Sequence, residues 1–467
     1  MSLAFNLYRT ASGGQPVRLN ERPIAASINF VDGKSDLGRD NAWFVRPVID
    51  GKEQAPSAPF LLKAGAPARQ HIAIPLRTPV GCTPNDASVG DLDGDGEYEI
   101  VLKQEMRPRD NSQSGTTGRT KLEAYKLDGT FLWRIDLGRN IREGAHYTPF
   151  IVYDLDGDGR AEVACRTADA TVNGVGKAIG DAKADYRNRE GHVMAGPEFL
   201  AIFDGRTGAA LATTAYLPAR GRVRDWGDDY GNRVDRFLAC VAYVDGKRPS
   251  LVMCRGYYTR SVLVAWNWPG GKLMRAWTFD SDDGTPGRRR YRGQGNHGLA
   301  VGDVDGDGND EIIYGACAID HDGKGLYTTG LCHGDAMHLS DIDPDRPGLE
   351  VFGIHERPRH PYGENLRDAA TGCSRNNGTK SDPCLVADVL GDWREEVIWR
   401  TSDNKELRIY TSTIPANRRF YTFVHDPTYR LSVAWHSAGC NQPTQTGFYM
   451  GADMSPPPRP TIVSTGK

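Results

Sequence analysis

An excess of charge of either sign is missing. The chain sets 57 Lys and Arg against 60 Asp and Glu, a formal net charge of -3. That balance gives no electrostatic footprint for nucleic acid or an acidic membrane surface, and neither is expected as a partner. An acidic polysaccharide needs only a local cationic cleft and is not excluded. Long apolar runs are missing too, so no segment is expected to cross a bilayer as a helix. The opening residues, MSLAFNLYRT, carry no basic region followed by an apolar stretch, and no signal peptide is visible. No CxxC occurs among the nine Cys, which are scattered and odd in number. This argues against a zinc site or a dense disulfide framework and leaves most of them as small buried apolar residues, with one or two bridges open. Sustained apolar spacing of 3.6 residues is almost absent, which excludes a helical bundle.

What is present favours turns and strands: 54 Gly, 28 Pro and 19 Tyr. Short apolar runs at 98–102, 150–153, 250–253 and 311–314 are closely flanked by Gly, Asp or Pro. The reading is all-β. An internal repeat organises it: VGDLDGDGEYEIVL from Val89, VYDLDGDGRAEVAC from Val152 and VGDVDGDGNDEIIY from Val301. Weaker copies begin at Val241, Leu339 and Val386. Each reads as two strands around an acidic loop, and several are followed by a second hairpin. Four strands per repeated unit predict a multi-bladed β-propeller. Residues 1–75 lack the acidic loops and read as a small fibronectin- or immunoglobulin-like β domain. Its strands are too few to close a sandwich, so the start of that domain is expected to be lacking. The expected division is 1–75 and 76–467.

The acidic loops carry the first chemistry. Asp91, Asp93, Asp95 and Glu99 stand at loop positions 1, 3, 5 and 9. Asp154, Asp156, Asp158 and Glu162 repeat the spacing, as do Asp303, Asp305, Asp307 and Glu311. Alternate carboxylates in a tight Gly-bearing turn can point inward together, which suits a hard cation wanting six to eight oxygens. Unlike EF-hand loops, these close at position 9 and lead into a strand. Several Ca²⁺ ions are therefore expected as structural cofactors. Looser variants are Asp341, Asp343, Asp345 and Glu350, and Asp388, Asp392 and Glu396. Asp245 stands in a degenerate loop expected to bind nothing.

Longer segments carry a resemblance. DNSQSG, EAYKLDGTFLWRIDLGRNIREGAHYTPF, GNHG, HGDAMHLSDIDPDRPGLEVF, NNGTK, DVLGDWREEVIWRT and HDPTYRLSVAW followed by NQP are similar to rhamnogalacturonan lyases of polysaccharide lyase family 11. The match runs in order along essentially the whole chain. It implies an eight-bladed calcium propeller behind a small β-rich domain. It further implies cleavage of the rhamnose–galacturonate backbone of rhamnogalacturonan I, and a secreted or periplasmic location, with the cytoplasm left open. By motif, Asn85, Glu105, Asn377, Gly378, Thr379 and Asn441 match positions that contact sugar. Lys380 matches a basic residue that meets the substrate carboxylate, and His297, His333 and Asp335 match a metal-and-substrate site. Glu105 and Gln104 depart from the family's usual Asp and Trp. In the family a further blade or more separates segments that here abut at Gly372 and Cys373. That stretch would include an arginine that assists with substrate carboxylates.

The residues fit the implied reaction. β-Elimination removes the C5 proton of a uronate and expels the C4 oxygen, so it needs a cation on the carboxylate and a base at C5. Ca²⁺ and Lys380 are candidates for the first role. His333, His297, His146 and Tyr147 remain rival bases, and His338 stands nearby. Trp226, Trp435, Tyr230 and Tyr257 are candidates for stacking on sugar rings or for ordinary packing. A monomeric lyase is the leading expectation. The alternative is a non-catalytic calcium propeller that binds glycans or proteins.

Overall fold

The computed structural model describes residues 2–67, 69, 71–355, 382–438, 443–451, 453–457 and 459–461. The described chain is almost entirely β. An antiparallel five-stranded sheet comes first: β1 (Leu3–Ala11), β2 (Val17–Arg18), β3 (Asn41–Ile49), β4 (Lys52–Glu53) and β5 (Phe60–Leu62). β1 and β3 pair from Leu3 opposite Ile49 to Ala11 opposite Asn41.

After β6 (Ile72–Pro75), successive antiparallel meanders follow. The first holds β7 (Thr83–Gly90), β8 (Glu99–Glu105), β9 (Lys121–Tyr125) and β10 (Phe131–Asp136). The second starts with β11 (Phe150–Tyr153) and β12 (Glu162–Ala168). Its chain then lends a hairpin, β13 (Thr171–Val172) and β14 (Ala178–Ile179), to the outer edge of the first sheet. It returns as β15 (Glu198–Phe203) and β16 (Ala210–Ala215). The third holds β17 (Phe237–Ala242), β18 (Ser250–Arg255), β19 (Val262–Asn267) and β20 (Met274–Asp280). The fourth holds β21 (Ala300–Gly302), β22 (Glu311–Ile313), β23 (Cys317–Ile319) and β24 (Gly325–Thr328). β25 (Gly334–Ser340) and β26 (Glu350–His355) make a two-stranded sheet. The last sheet holds β27 (Leu385–Ala387), β28 (Glu396–Arg400) and β29 (Glu406–Tyr410), and its fourth strand is β6. Thus Glu406 faces Pro75 and Ile409 faces Ile72, so the two ends of this region share one sheet.

First strands of several sheets touch one another: β7 with β11, β11 with β17, β17 with β21, β21 with β25, and β27 with β7. These strands pack closely. A Cβ on Gly90 would come within 2.9 Å of Val152 Cγ1 on the neighbouring first strand. Helix α1 (Pro427–Trp435) lies among them and contacts β7, β11, β17 and β21. Asp426 caps it by accepting from the Tyr429 N–H, and Pro427 occupies the first turn, where a missing N–H does no harm. Leu431, Val433, Ala434 and Trp435 are buried. Burial on nearly all sides explains why no amphipathic period marked this helix.

The cysteine expectation holds for the described residues. Cys82, Cys165, Cys240, Cys254 and Cys317 are free and buried, Cys384 is buried, and Cys332 is half-buried. Cys373 and Cys440 lie outside the described residues. No helix is long and apolar enough to cross a membrane among those residues.

Candidate active site and acidic loops

The first strands have two chemically different ends. At their C-terminal ends sit the acidic loops: 91–99 follows β7, 154–162 follows β11 and 303–311 follows β21. Their internal bonding repeats. The position-1 carboxylate accepts from two glycine N–H groups: Asp91 from Gly94 and Gly96, Asp154 from Gly157 and Gly159, Asp303 from Gly306 and Gly308. All six glycines have φ between 77° and 90°, which a side chain would oppose. The closing glutamate turns one oxygen to the loop backbone: Glu99 to Leu92 N, Glu162 to Leu155 N, Glu311 to Val304 N.

Three groups of carboxylates therefore converge with ligand atoms within 4.8 Å of one another. They are Asp91, Asp93 and Glu99; Asp154, Asp156 and Glu162; and Asp303, Asp305 and Glu311. The position-5 residues turn partly elsewhere. Asp158 pairs with Arg160, Asp307 lies 3.3 Å from His321, and Asp95 lies 2.7 Å from Lys126. Desolvation, then repulsion from Asp156, Asp154 and Asp158, pushes Glu162 up to about 8. Glu311 rises to about 7 for the same reasons. In the loops at 154–162 and 303–311, three carboxylates pressed together in this way fit a hard divalent cation.

The looser loops differ. Asp388 spends its carboxylate on Asp392 N, Trp393 N, Thr422 and Phe423 N, and Asp392 pairs with Arg394. Glu396 accepts from Val389 N and Leu390 N, and Glu350 from Ile342 N and Asp343 N. Neither 388–396 nor 341–350 brings three such ligand atoms together among the described residues.

At the opposite end, several first strands begin beside a cluster of rings. His297 precedes β21, His333 precedes β25, and Tyr257 and Tyr258 follow β18. His297 Nδ1 is 3.1 Å from Tyr257 Oη, and Nε2 is 3.2 Å from Tyr258 Oη and 3.5 Å from Asp335 Oδ1. His146 stacks on His297 at 4.9 Å. His333 Nδ1 is 2.6 Å from the Gly295 carbonyl, which fixes Nδ1 as the donor and puts the lone pair on Nε2. His297, His333 and Asp335 offer ligand atoms within 4.8 Å of one another. Positive charge adjoins them: Arg233 and Arg236 lie 4.2 and 5.5 Å from the Tyr258 ring, and Arg236 also pairs with Asp110 at 2.7 Å.

Near the start of β7, Asn85 donates to Glu105 at 2.6 Å. Lys103, 1 % exposed, pairs with Asp86 at 2.6 Å and lies 3.8 Å from Glu105. Desolvation, offset by Lys103, leaves Glu105 at about 7. Sequence reasoning missed Lys103, Asp86, Tyr258, Arg233 and Arg236. For Arg236 the available signal was a charged residue directly ahead of an apolar strand.

Other expectations are redistributed. Tyr147 is buried, accepts from Asn111 N and donates to Asp110, which makes it a poor base. Trp226 and Trp435 are core residues, with Trp226 Nε1 donating to the Arg220 carbonyl, whereas Tyr230 is exposed. His338 lines a cavity of about 520 Å³ with Ser340, Glu395 and Tyr429, and is not part of the ring cluster. A larger cavity of about 930 Å³, lined by Phe5, Trp43, Phe60, Leu390 and Phe420, lies between the first and last sheets, away from the histidines. Asn377, Gly378, Thr379, Lys380 and Asn441 lie outside the described residues.

Residues 78–374 and 370–460 match the family described as Rhamnogalacturonan lyase family 11, C-terminal domain. The chain belongs to this family. It is 46% identical to the rhamnogalacturonan endolyase YesW of Bacillus subtilis (strain 168), covering 99% of this chain and 88% of that protein. It is 45% identical to the rhamnogalacturonan exolyase YesX of the same organism, covering 99% and 93%. The crystal structure of YesW superimposes with a TM-score of 0.90 over 98% of this chain and 94% of that chain. A rhamnogalacturonan lyase from Bacillus licheniformis, 48% identical, gives 0.91 over 99% and 94%. The alignment with YesW runs over 561 positions, 94 more than the 467 residues here. The family match divides at 370–374, which coincides with the expected junction at Gly372 and Cys373.

Proposed function

We propose that this chain is a rhamnogalacturonan lyase that cleaves the rhamnose–galacturonate backbone of rhamnogalacturonan I by β-elimination, with calcium as its metal. Family membership carries the reading, and the convergence of His297, His333 and Asp335 supports it. Likeness to lyases over nearly the whole chain also favours this reading over a non-catalytic calcium propeller that binds glycans or proteins.

The roles follow from position. His297, His333 and Asp335 would hold the metal ion near the uronate carboxylate. When bound there, calcium lowers the charge on that carboxylate and so acidifies the C5 proton. Arg233, Arg236 and, from the family match, Lys380 add positive charge for the polymer's carboxylates. Tyr257 holds the His297 ring through Nδ1, which leaves Nε2, beside Tyr258 and Asp335, as the ligand atom. Asn85, Glu105, Asn377, Gly378, Thr379 and Asn441 are assigned to sugar contacts by the family match. The loops at 154–162 and 303–311 are assigned structural calcium. The meanders are read as propeller blades around α1, fewer than the family's eight because residues are lacking at 370–374. The expected division at 75–76 is moved in this reading to the start of β6 at Ile72, because β6 pairs with β29 of the last sheet. A monomer outside the cytoplasm completes the reading.

Incubation with rhamnogalacturonan I and Ca²⁺, followed by ultraviolet absorbance of the unsaturated product, tests the activity. No rise, with the polymer still bound, rejects it. Lys380→Ala is expected to abolish turnover in a folded protein, and near-normal turnover removes Lys380 from the mechanism.

A further inference from the structure

The three well-formed acidic loops look alike along the chain but differ at one place that only strand register brings together. Each closing glutamate starts a strand, and the residue after it pairs with the third strand of its sheet: Ile100 faces Tyr125, Val163 faces Phe203, and Ile312 faces Ile319. The residue after each of those partners is thus equivalent in the three sheets. It is Asp204 in the second and Asp320 in the fourth, but Lys126 in the first. In the fourth, Asp320 lies 2.9 Å from His321 Nδ1, which is itself 3.3 Å from Asp307 and 3.8 Å from Glu311.

We propose that Lys126 is the resident cation of the first loop, so that divalent ions go to the second and third loops and not to the first. Its ammonium lies 2.6 Å from Asp93, 2.7 Å from Asp95 and 3.3 Å from Glu99. It spans loop positions 3, 5 and 9, the oxygens a calcium ion would need. A lysine carries its charge covalently, so its local concentration does not depend on the medium. A divalent ion entering the loop would break three ion pairs and sit within a few ångströms of a like charge. At the equivalent place in the other two sheets stands an aspartate, Asp204 accepting from Thr207 and Asp320 lying beside His321, so the lysine ammonium of the first loop has no counterpart at that position. The family's calcium pattern is therefore met by the second and third loops, and the first departs from it.

The inference rests on the calcium reading of the loops, and counting bound metal separates the two. Calcium per folded chain is measured by elemental analysis after dialysis against a calcium buffer. Asp156→Asn and Asp305→Asn are each expected to lose one ion, and Asp93→Asn none. Lys126→Asp, which restores the residue found in the other sheets, is expected to gain one ion, and the milder Lys126→Gln to gain one more weakly. Loss of one ion from Asp93→Asn overturns the proposal and leaves the calcium reading standing. No gain in either Lys126 variant overturns it as well, because lysine is then not what keeps the ion out. If all three Asp variants keep the wild-type count, both readings fall. Thermal denaturation of each folded variant, with and without chelator, gives a second readout. The chelator-induced drop in Tm is expected to grow in Lys126→Asp and to stay at the wild-type value in Asp93→Asn.

Discussion

Two ends of the same strands carry opposite designs. At one end, loops 91–99, 154–162 and 303–311 repeat one bonding pattern, each built from nine consecutive residues. At the other, His146, Tyr257, Tyr258, His297, His333 and Asp335 come from separate stretches and repeat nothing. Even the four-residue strand β11 keeps the two ends roughly 13 Å apart. A group needed once per sheet, to tie a turn, is copied with the sheet. A group needed once per molecule, to act on substrate, is assembled from several sheets. The loop end is therefore expected to set stability and the ring end turnover.

The largest test of that division is metal removal. Chelation is expected to lower unfolding free energy by about 4 kcal/mol per ion, relative to a thousandfold excess over Kd. The loss should depend on pH. In the stripped protein, Glu162 titrates at about 8 and Glu311 at about 7, against a usual 4.5. A carboxyl raised by folding favours the folded state below about 4.5, and that benefit fades as pH rises through 7 to 8. Calorimetry should thus show a wider gap between loaded and stripped Tm at pH 8 than at pH 5; equal gaps refute the like-charge account.

Next is a planned exception. Glu198 is held by Arg166, Arg220 and Arg255 at 2.9, 3.0 and 2.7 Å. Against its desolvation, those arginines keep it at about 2. Glu198→Gln leaves buried cations unpaired and is expected to cost about 3–5 kcal/mol in denaturant unfolding. Arg166 also donates to the Tyr147 carbonyl, so this is a ring-end residue acting on stability. A loss below 1 kcal/mol would mean that the arginines repair themselves with water. His297→Ala should divide oppositely, with kcat lower by about a hundredfold or more and Tm nearly unchanged. The smallest effect is expected at Asp426, an acid at the loop end that caps α1 and also accepts from Gly447 N. Asp426→Ala should cost about 1 kcal/mol, by the same amount with and without chelator. A chelator-dependent loss would make it part of a metal site.

The loops were legible because their geometry is local: spacing, glycine and glutamate all fall within nine residues. The all-β class followed from short apolar runs between turn residues. Lys126, Asp204 and Asp320 were not legible as equivalents, because connections of unequal length join them to their loops and only pairing aligns them. The ring cluster was legible in part through the resemblance, since nothing near GNHG or HGDAMH in the sequence points to Tyr258 or Arg236. Helix α1 escaped because it is buried nearly all round, although Asp426-Pro427 was a readable start.

The position of α1 in the chain sets a timetable. It occupies 427–435 of 467 residues, yet four of the first strands pack on it. During synthesis those strands emerge before the helix that packs on them exists, and they must wait with that contact surface uncovered. A ribosome stalled before residue 427 would hold these sheets without the helix that packs on β7, β11, β17 and β21, exposed to proteases and chaperones.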